Sequence, residues 1–266
     1  MSQAMALARI CWASTWSATL LYRSDFHWQS WVLSWLQRLF FQVLFFGMLG
    51  QLVGGESAVR YLLIGNAVAA VAIEATQTIG TPVLERGAGA LPLLVSAPGS
   101  HIAALVARGL YLPVTAVVSG GIVLTCAIPA LGISLPWPRA LWVFPGMLVI
   151  AFACYCYGTV FGALVLGARR FPWLLTNVSY LVLMTFCGVS VPVTFWPEPV
   201  QAIVQLLPVT HGLQGIRDLL DGEGFVAFLN GVCLELLVAG GWLALGVVLY
   251  RWMAESARRS GSIDLS

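Results

Sequence analysis

Long apolar runs are the feature that most restricts what this chain can fold into. A helix of about 20 apolar residues crosses the hydrocarbon core of a bilayer. Backbone groups in lipid must pair within their own segment, so long, uniformly apolar runs indicate helices and not barrel strands. We therefore predict an all-α integral membrane protein with six transmembrane helices, at residues 36–53, 58–79, 109–128, 140–167, 173–195 and 225–252.

Charged side chains are too scarce to cover a water-soluble globule. Only 9% of the residues are charged and 59% are hydrophobic, whereas soluble domains carry about 25% charged residues. The net charge of +2 and the lack of any run of basic residues argue against nucleic acid as a partner. The lipid bilayer is the expected surrounding.

All 13 basic residues are arginine, and the sequence contains no lysine. A nucleotide-binding P-loop requires a lysine at the phosphates, and a Schiff-base mechanism requires a lysine amine. The three histidines, His27, His101 and His211, lie in separate connections and have no metal-binding spacing. We predict no catalytic site, no metal site and no bound cofactor, so any ATP is hydrolysed by another polypeptide.

The arginine distribution predicts the orientation of the chain. Cytoplasmic connections are enriched in basic residues, and placing both termini inside gives ten arginines inside and three outside. Residues 1–30 mix tryptophans with charged residues, which indicates an amphipathic helix lying in the membrane interface. The transmembrane domain then covers residues 31–255, and residues 256–266 form a cytoplasmic tail.

Two connections are more than simple turns. The inner connection, residues 82–100, has the length and composition of a short helix lying across the inner surface. The outer connection contains the segment 196–221, which is apolar but interrupted by prolines. Such short pieces cannot span a bilayer, but they can enter it and return when they pack against protein. We predict a re-entrant helical hairpin here, between the fifth and sixth spans.

Both connections carry a family resemblance. The inner pattern is made by Glu85, Arg86, Gly89, Leu91, Leu94 and Pro98, and the outer pattern by Gly188, Pro192, Pro197, Pro208, Thr210 and Arg217. With these patterns in register with six spans, the chain resembles permeases of type-2 ATP-binding-cassette exporters, nearest the drug-resistance (daunorubicin-type) branch. It departs from the family pattern at Ala90, in place of a threonine, and at Pro92, in place of an acidic residue.

The resemblance implies a function and a set of partners. It implies a permease, paired with a second copy as a homodimer, that binds two ATPase subunits on which ATP and Mg²⁺ are held. The inner connection would be the coupling helix, with Leu91 and Leu94 facing the ATPase and with Glu85 and Arg86 at the rim of that contact. The implied substrate is an amphipathic drug, natural product or lipid-like molecule, exported across a bacterial plasma membrane from the cytoplasm or inner leaflet.

Two acids lie within the apolar runs. Glu74 and Glu235 each cost about 2.5–3.5 kcal/mol at a helix centre, so each is expected to face protein or water. Each is a candidate contact of the translocation path, with a hydrogen-bonded structural acid as the alternative. Phe45 is a candidate for an apolar groove along this path, or for ordinary packing. We expect His211 to cap or pack the outer hairpin.

Two other function classes and one other substrate are alternatives to this interpretation. A secondary transporter or channel without an ATPase would show broken helices and matching intramembrane charges in repeats. An intramembrane enzyme would need a nucleophile–base or metal constellation, and no such spacing is present. Within the exporter class, a lipid-linked glycan is the alternative substrate.

Overall fold

A computed structural model describes residues 3–25, 28–87, 89, 101–168 and 172–260. All regular secondary structure in these residues is helical, which confirms the predicted all-α class. The α-helices of seven or more residues are α1 (Gln3–Asp25), α2 (Gln37–Ala75), α3 (Thr81–Gly87), α4 (His101–Ala107), α5 (Leu112–Leu131), α6 (Val143–Ala168), α7 (Pro172–Phe186), α8 (Glu198–Val204), α9 (Thr210–Asp221) and α10 (Phe225–Ser260).

Four helical stretches of the described chain are long and apolar enough to cross a membrane. They are Trp28–Gly87, Ile102–Leu131, Arg139–Val165 and Phe225–Met253, and a shorter apolar helix covers Trp173–Phe186. The fifth predicted span was placed at 173–195, but its helix ends at Phe186. Gly188 follows with φ of +80°, a left-handed conformation that ends a helix and favours glycine.

The first of these stretches contains a chain reversal. Gly54 and Gly55 have non-helical backbone angles inside α2, and Gly55 has φ of +70°. A methyl group added at Gly50 would lie 2.7 Å from Cα of Val59. Nine residues of straight helix would separate these positions by roughly 13 Å, so α2 consists of two arms that fold back on each other. The predicted break between the first two spans coincides with this reversal.

The core lies where the second arm of α2 meets α5 and α6. Residues 63–75 of this arm are buried without exception. Glycines allow the close approach: a methyl group at Gly120 of α5 would clash with Val71, and one at Gly162 of α6 would lie 2.9 Å from the hydroxyl of Tyr250 in α10. Small residues at helix contacts are typical of membrane helix packing.

The N-terminal helix packs against the end of α4, the helix that follows the inner connection. The hydroxyl of Thr15 in α1 donates a hydrogen bond of 2.8 Å to the carbonyl oxygen of Ala107. Trp12 and Trp16 are exposed and stack with their ring centroids 6.3 Å apart. This exposed pair of indoles is compatible with the interfacial location that the composition of residues 1–30 predicts.

Candidate functional site

The inner connection begins with the short helix α3 and is followed by the short helix α4. Gly89 has φ of +67°, and its N–H donates a 3.0 Å hydrogen bond to the carbonyl oxygen of Arg86, which ends α3 in a tight turn. Leu91, Leu94 and Pro98 lie outside the described residues. Their roles in an ATPase contact therefore stay predictions.

A buried ion pair joins the two ends of this connection. Nε of Arg108, directly after α4, lies 2.5 Å from Oε1 of Glu85 in α3, and both side chains are less than a tenth exposed. The expectation that Glu85 supplies a rim charge is therefore wrong, because its carboxylate is enclosed with its partner. Breaking a buried pair typically costs about 3–5 kcal/mol, since it leaves one charge unpaired. The pair holds α3 and α4 together at the base of the loop.

The outer connection folds into short helices separated by the predicted proline breaks. Pro192 precedes the 3-10 turn Val193–Phe195, Pro197 directly precedes α8, and Pro208 is buried in the turn between α8 and α9. Proline fixes φ and lacks an N–H, so it is tolerated at such helix starts and turns. A pair of short helices is present at 196–221, whereas its entry into the bilayer stays a prediction.

Arg217 anchors α9 to the rest of the protein. Its Nη1 donates to the carbonyl oxygen of Gly188 at 2.7 Å, and its Nη2 donates to those of Tyr61 and Val189 at 3.1 and 3.2 Å. The guanidinium also lies over the ring of Tyr61, 3.5 Å from its centroid. A planar, multi-donor cation suits this combination of stacking and several acceptors. The arginine therefore binds three backbone carbonyls in place of an acid.

Thr210 and His211 stabilise the turn between the two outer helices. The hydroxyl of Thr210 donates to the carbonyl oxygen of Val204 at 2.9 Å, and Nε2 of His211 lies 2.9 Å from that of Gln205. Both carbonyls belong to the end of α8, where helical partners are missing. The two side chains thus satisfy the C-terminal end of α8, as the sequence predicted for His211.

Glu235 accepts hydrogen bonds from backbone N–H groups at the start of α9. Its Oε1 accepts a 2.6 Å hydrogen bond from the N–H of Val209, and its Oε2 accepts one of 2.9 Å from the N–H of Gly212. The side chain is fully buried. Val209 has φ of +83°, a strained conformation for a β-branched residue that the surroundings must hold in place. These contacts fit the structural alternative for Glu235, namely a carboxylate that caps a helix N-terminus from a neighbouring helix.

Glu74 lies in different surroundings, at the edge of a cavity of about 540 Å³. Its Oε2 accepts a 3.0 Å hydrogen bond from Nε1 of Trp35. Its Oε1 is buried and has no hydrogen-bond partner among the described residues. Gln77, one helical turn after Glu74, also lines the cavity.

Phe45, the third candidate for the translocation path, is 63% exposed on the first arm of α2. Its ring packs edge-on against that of Phe46, with the centroids 5.5 Å apart. It does not line the cavity at Glu74.

The described residues contain no cluster of three or more side chains that could hold a metal ion.

Comparison with known families identifies the chain. The family described as "ABC-2 type transporter" matches residues 8–220, which is most of the chain. The chain belongs to this family. No curated protein matches it.

Membership in the ABC-2 type transporters makes this chain a multi-pass membrane protein and a transport component that is not itself catalytic. The family match includes the inner connection and all but the last residue of α9. It also includes Glu74 and Phe45, whereas Glu235 lies beyond its end.

Three residues that the structure places beside predicted site residues were not predicted from the sequence. They are Trp35 beside Glu74, Arg108 beside Glu85, and Tyr61 beside Arg217. Arg108 is the first arginine after the loop, but Arg86 lies beside Glu85 in the chain, so the sequence does not show which arginine pairs with this acid. An indole and a phenol within apolar runs are indistinguishable by sequence from membrane anchors.

Proposed function

We propose that this ABC-2 type transporter is the permease subunit of an ATP-driven exporter that moves an amphipathic substrate out of the cytoplasm or inner leaflet. The observation that carries the proposal is the family match, which extends over a connection whose two ends are joined by the buried pair of Glu85 and Arg108. A loop on a rigid base transmits displacement of a bound partner to the helices on either side.

The neighbouring contacts support such transmission. α3 continues from α2 through the 3-10 segment Thr76–Gly80, and α4 leads into α5 through a short turn. The hydroxyl of Tyr155 in α6 donates a hydrogen bond to the carbonyl oxygen of Val106 in α4. Movement of the loop therefore reaches α2, α5 and α6 directly.

The proposed assembly contains two copies of an ATP-binding-cassette ATPase and a second copy of this chain. The first arm of α2 exposes a helical stripe that is large enough for a packing partner. It consists of Phe41, Phe45, Met48 and Leu52. We propose that this stripe contacts lipid or the second permease in the homodimer, with Phe45 at its centre.

Docking of the ATPase is tested at Leu94. We expect Leu94→Asp to place an unpaired charge in the contact, which is costly to desolvate, and to abolish co-purification with the ATPase or substrate-dependent ATP turnover. The matched control is Leu94→Met, which keeps an apolar side chain of similar volume. Normal assembly and transport by the aspartate variant would show that the loop is only a connection.

The same complex tests whether the ATPase subunit, and not this chain, hydrolyses ATP. The purified chain alone is expected to hydrolyse no ATP, because it has no lysine for a P-loop. Turnover is expected only after the ATPase is added. Transport that continues without an ATPase, driven by an ion gradient, would favour the secondary-transporter alternative.

We further propose six spans in a bacterial plasma membrane, with a re-entrant outer hairpin and both termini in the cytoplasm. The excess of arginine on the proposed inner side supports this orientation. Reporters at Arg170 and Arg259 should be accessible only from the cytoplasm, and one at Asp221 only from outside. External accessibility of the reporter at Arg259 would contradict the topology.

A further inference from the structure

The cavity at Glu74 forms where two helices depart from regular α geometry. Residues Trp31–Leu36 form a π-helix before α2, and Thr76–Gly80 form a 3-10 helix after it. Such irregular segments within helices are uncommon, and π-helical turns occur frequently at functional sites. Trp35 comes from the first segment, and Gln77 and Gly80 from the second. A volume of about 540 Å³ is in the range of small-molecule sites.

Glu74, which lines this cavity, carries an unsatisfied hydrogen-bond acceptor. The side chain is only 3% exposed, and its Oε1 has no hydrogen-bond partner among the residues described. A buried acceptor that is left without a donor is costly, and a buried charge is costlier still. The second oxygen is already held by the indole of Trp35 at 3.0 Å, so the carboxylate is fixed in orientation while one oxygen is left for a donor.

Arg38 gives the same cavity a positive group. It lies one helical turn from Trp35, and its guanidinium carbon is 5.7 Å from the centroid of the indole ring. Arg38 forms no ion pair with any residue in the described ranges. Trp35 therefore contacts the acid through its N–H and the base through its ring, which places the two charges around one side chain.

The rest of the lining is mostly aromatic and aliphatic, and its further polar residues are Gln77, Thr81, Thr176 and Asn177. Trp173 and Tyr180 of α7 line the cavity together with Tyr111, Ile73 and Leu112. Aromatic faces attract ammonium groups, while the apolar side chains suit a hydrocarbon chain.

We propose that this cavity binds a zwitterionic amphiphile, whose primary ammonium donates to Glu74, whose anionic group pairs with Arg38 and whose apolar chain packs on the aromatic walls. Resting on the function proposed above, this defines the substrate class of the exporter. An ammonium–carboxylate contact supplies the missing donor as a charge-assisted hydrogen bond, and a guanidinium is well suited to phosphate.

The position of the cavity connects its occupant to the coupling loop. Thr81, Val83 and Leu84 of α3 form part of its wall and directly precede Glu85, the acid of the buried ion pair. A ligand in the cavity therefore contacts the helix that enters the loop. Binding and ATP turnover are expected to be linked for this reason.

The first experiment uses the full-length chain in a nonionic detergent and compares ligands with one acyl chain. Lysophosphatidylethanolamine has a primary ammonium, lysophosphatidylcholine has a quaternary one without N–H, and lysophosphatidylglycerol has none. We expect the ethanolamine lipid to bind about tenfold more tightly than either of the others, by titration calorimetry. Phosphoethanolamine, which lacks the chain, should bind at least about tenfold more weakly. Equal affinity for the ethanolamine and choline lipids would overturn the proposal.

Variants then test the assigned contacts. Glu74→Gln should lower affinity for the ethanolamine lipid about tenfold, to that of the choline lipid, while Arg38→Gln should weaken all three phosphate-bearing lysolipids by about fivefold. Glu56→Gln and Arg139→Gln, at exposed sites outside the cavity, are the controls and should change nothing. Unchanged binding by Glu74→Gln would exclude the ammonium contact.

A final measurement separates this inference from the exporter function. With the ATPase bound, the ethanolamine lipid should raise ATP turnover by the wild-type complex and not by the Glu74→Gln complex. Specific binding without stimulation, in a complex that other amphiphiles stimulate, would overturn the substrate assignment alone. A chain that never assembles with an ATPase, yet binds the lipid through Glu74, would overturn the exporter function alone.

Discussion

Two buried acids, Glu235 beside α9 and Glu74 at the cavity, have different hydrogen-bond surroundings. Both are glutamates on apolar helices and both are almost fully enclosed. Glu235 has a backbone N–H donor for each oxygen, whereas Glu74 has one indole donor and one oxygen without a partner among the described residues. Glu235 therefore holds structure, whereas Glu74 has one oxygen left for a ligand at the cavity that it lines.

The largest effect is expected at Glu235. Replacing it with alanine leaves the N–H groups of Val209 and Gly212 without acceptors in a buried place, at about 1–3 kcal/mol each. We expect Glu235→Ala to lower the free energy of unfolding by about 4 kcal/mol, measured by denaturation in detergent. Glu235→Gln retains one acceptor and should lose less. Equal stability of the alanine variant and the wild type would remove the distinction between the two acids.

An intermediate effect is expected at Arg217. Arg217→Met removes three hydrogen bonds to backbone carbonyls and the contact with Tyr61. We expect a loss of about 3 kcal/mol in the free energy of unfolding, because carbonyls can partly recover other donors. Arg217→Lys keeps the charge and should recover only a minor part, since it lacks the planar fork. Full recovery by lysine would show that charge alone holds α9.

The smallest effect on stability is expected at Glu74. The amide oxygen of Glu74→Gln can still accept the hydrogen bond from Trp35, and no second protein contact is lost. We expect the free energy of unfolding to change by less than about 1 kcal/mol, while ligand binding falls. A loss as large as that of Glu235→Ala would show that Glu74 is a structural acid after all.

The sequence predicted the helical class and several breaks because these depend on local chemistry. The gap left between residues 53 and 58 contains the Gly54–Gly55 reversal, and the outer prolines stand at helix starts and turns, as proline requires. The fifth span was placed too long because apolar character continues past Phe186, whereas Gly188 ends the helix through its backbone conformation.

The contacts between distant helices could not be predicted in the same way. Pairing of Glu85 with Arg108, or of Glu74 with Trp35, depends on how each helix is rotated about its axis. Hydrophobic patterns report this rotation only when one helix face is polar, and these helices are apolar all round. The sequence therefore identified Glu74 and Glu235 as candidates but could not show that the hydrogen bonds of Glu235 are complete and those of Glu74 are not.

The ion pair between Glu85 and Arg108 also has an evolutionary consequence. Both charges are buried, so replacing one residue alone leaves the other charge buried and unpaired. Replacing both residues by apolar ones is far better tolerated. Related permeases should therefore keep both residues, exchange their charges together, or lose both together. Correlated substitution at these two positions among related sequences would therefore indicate a contact that no single sequence reveals.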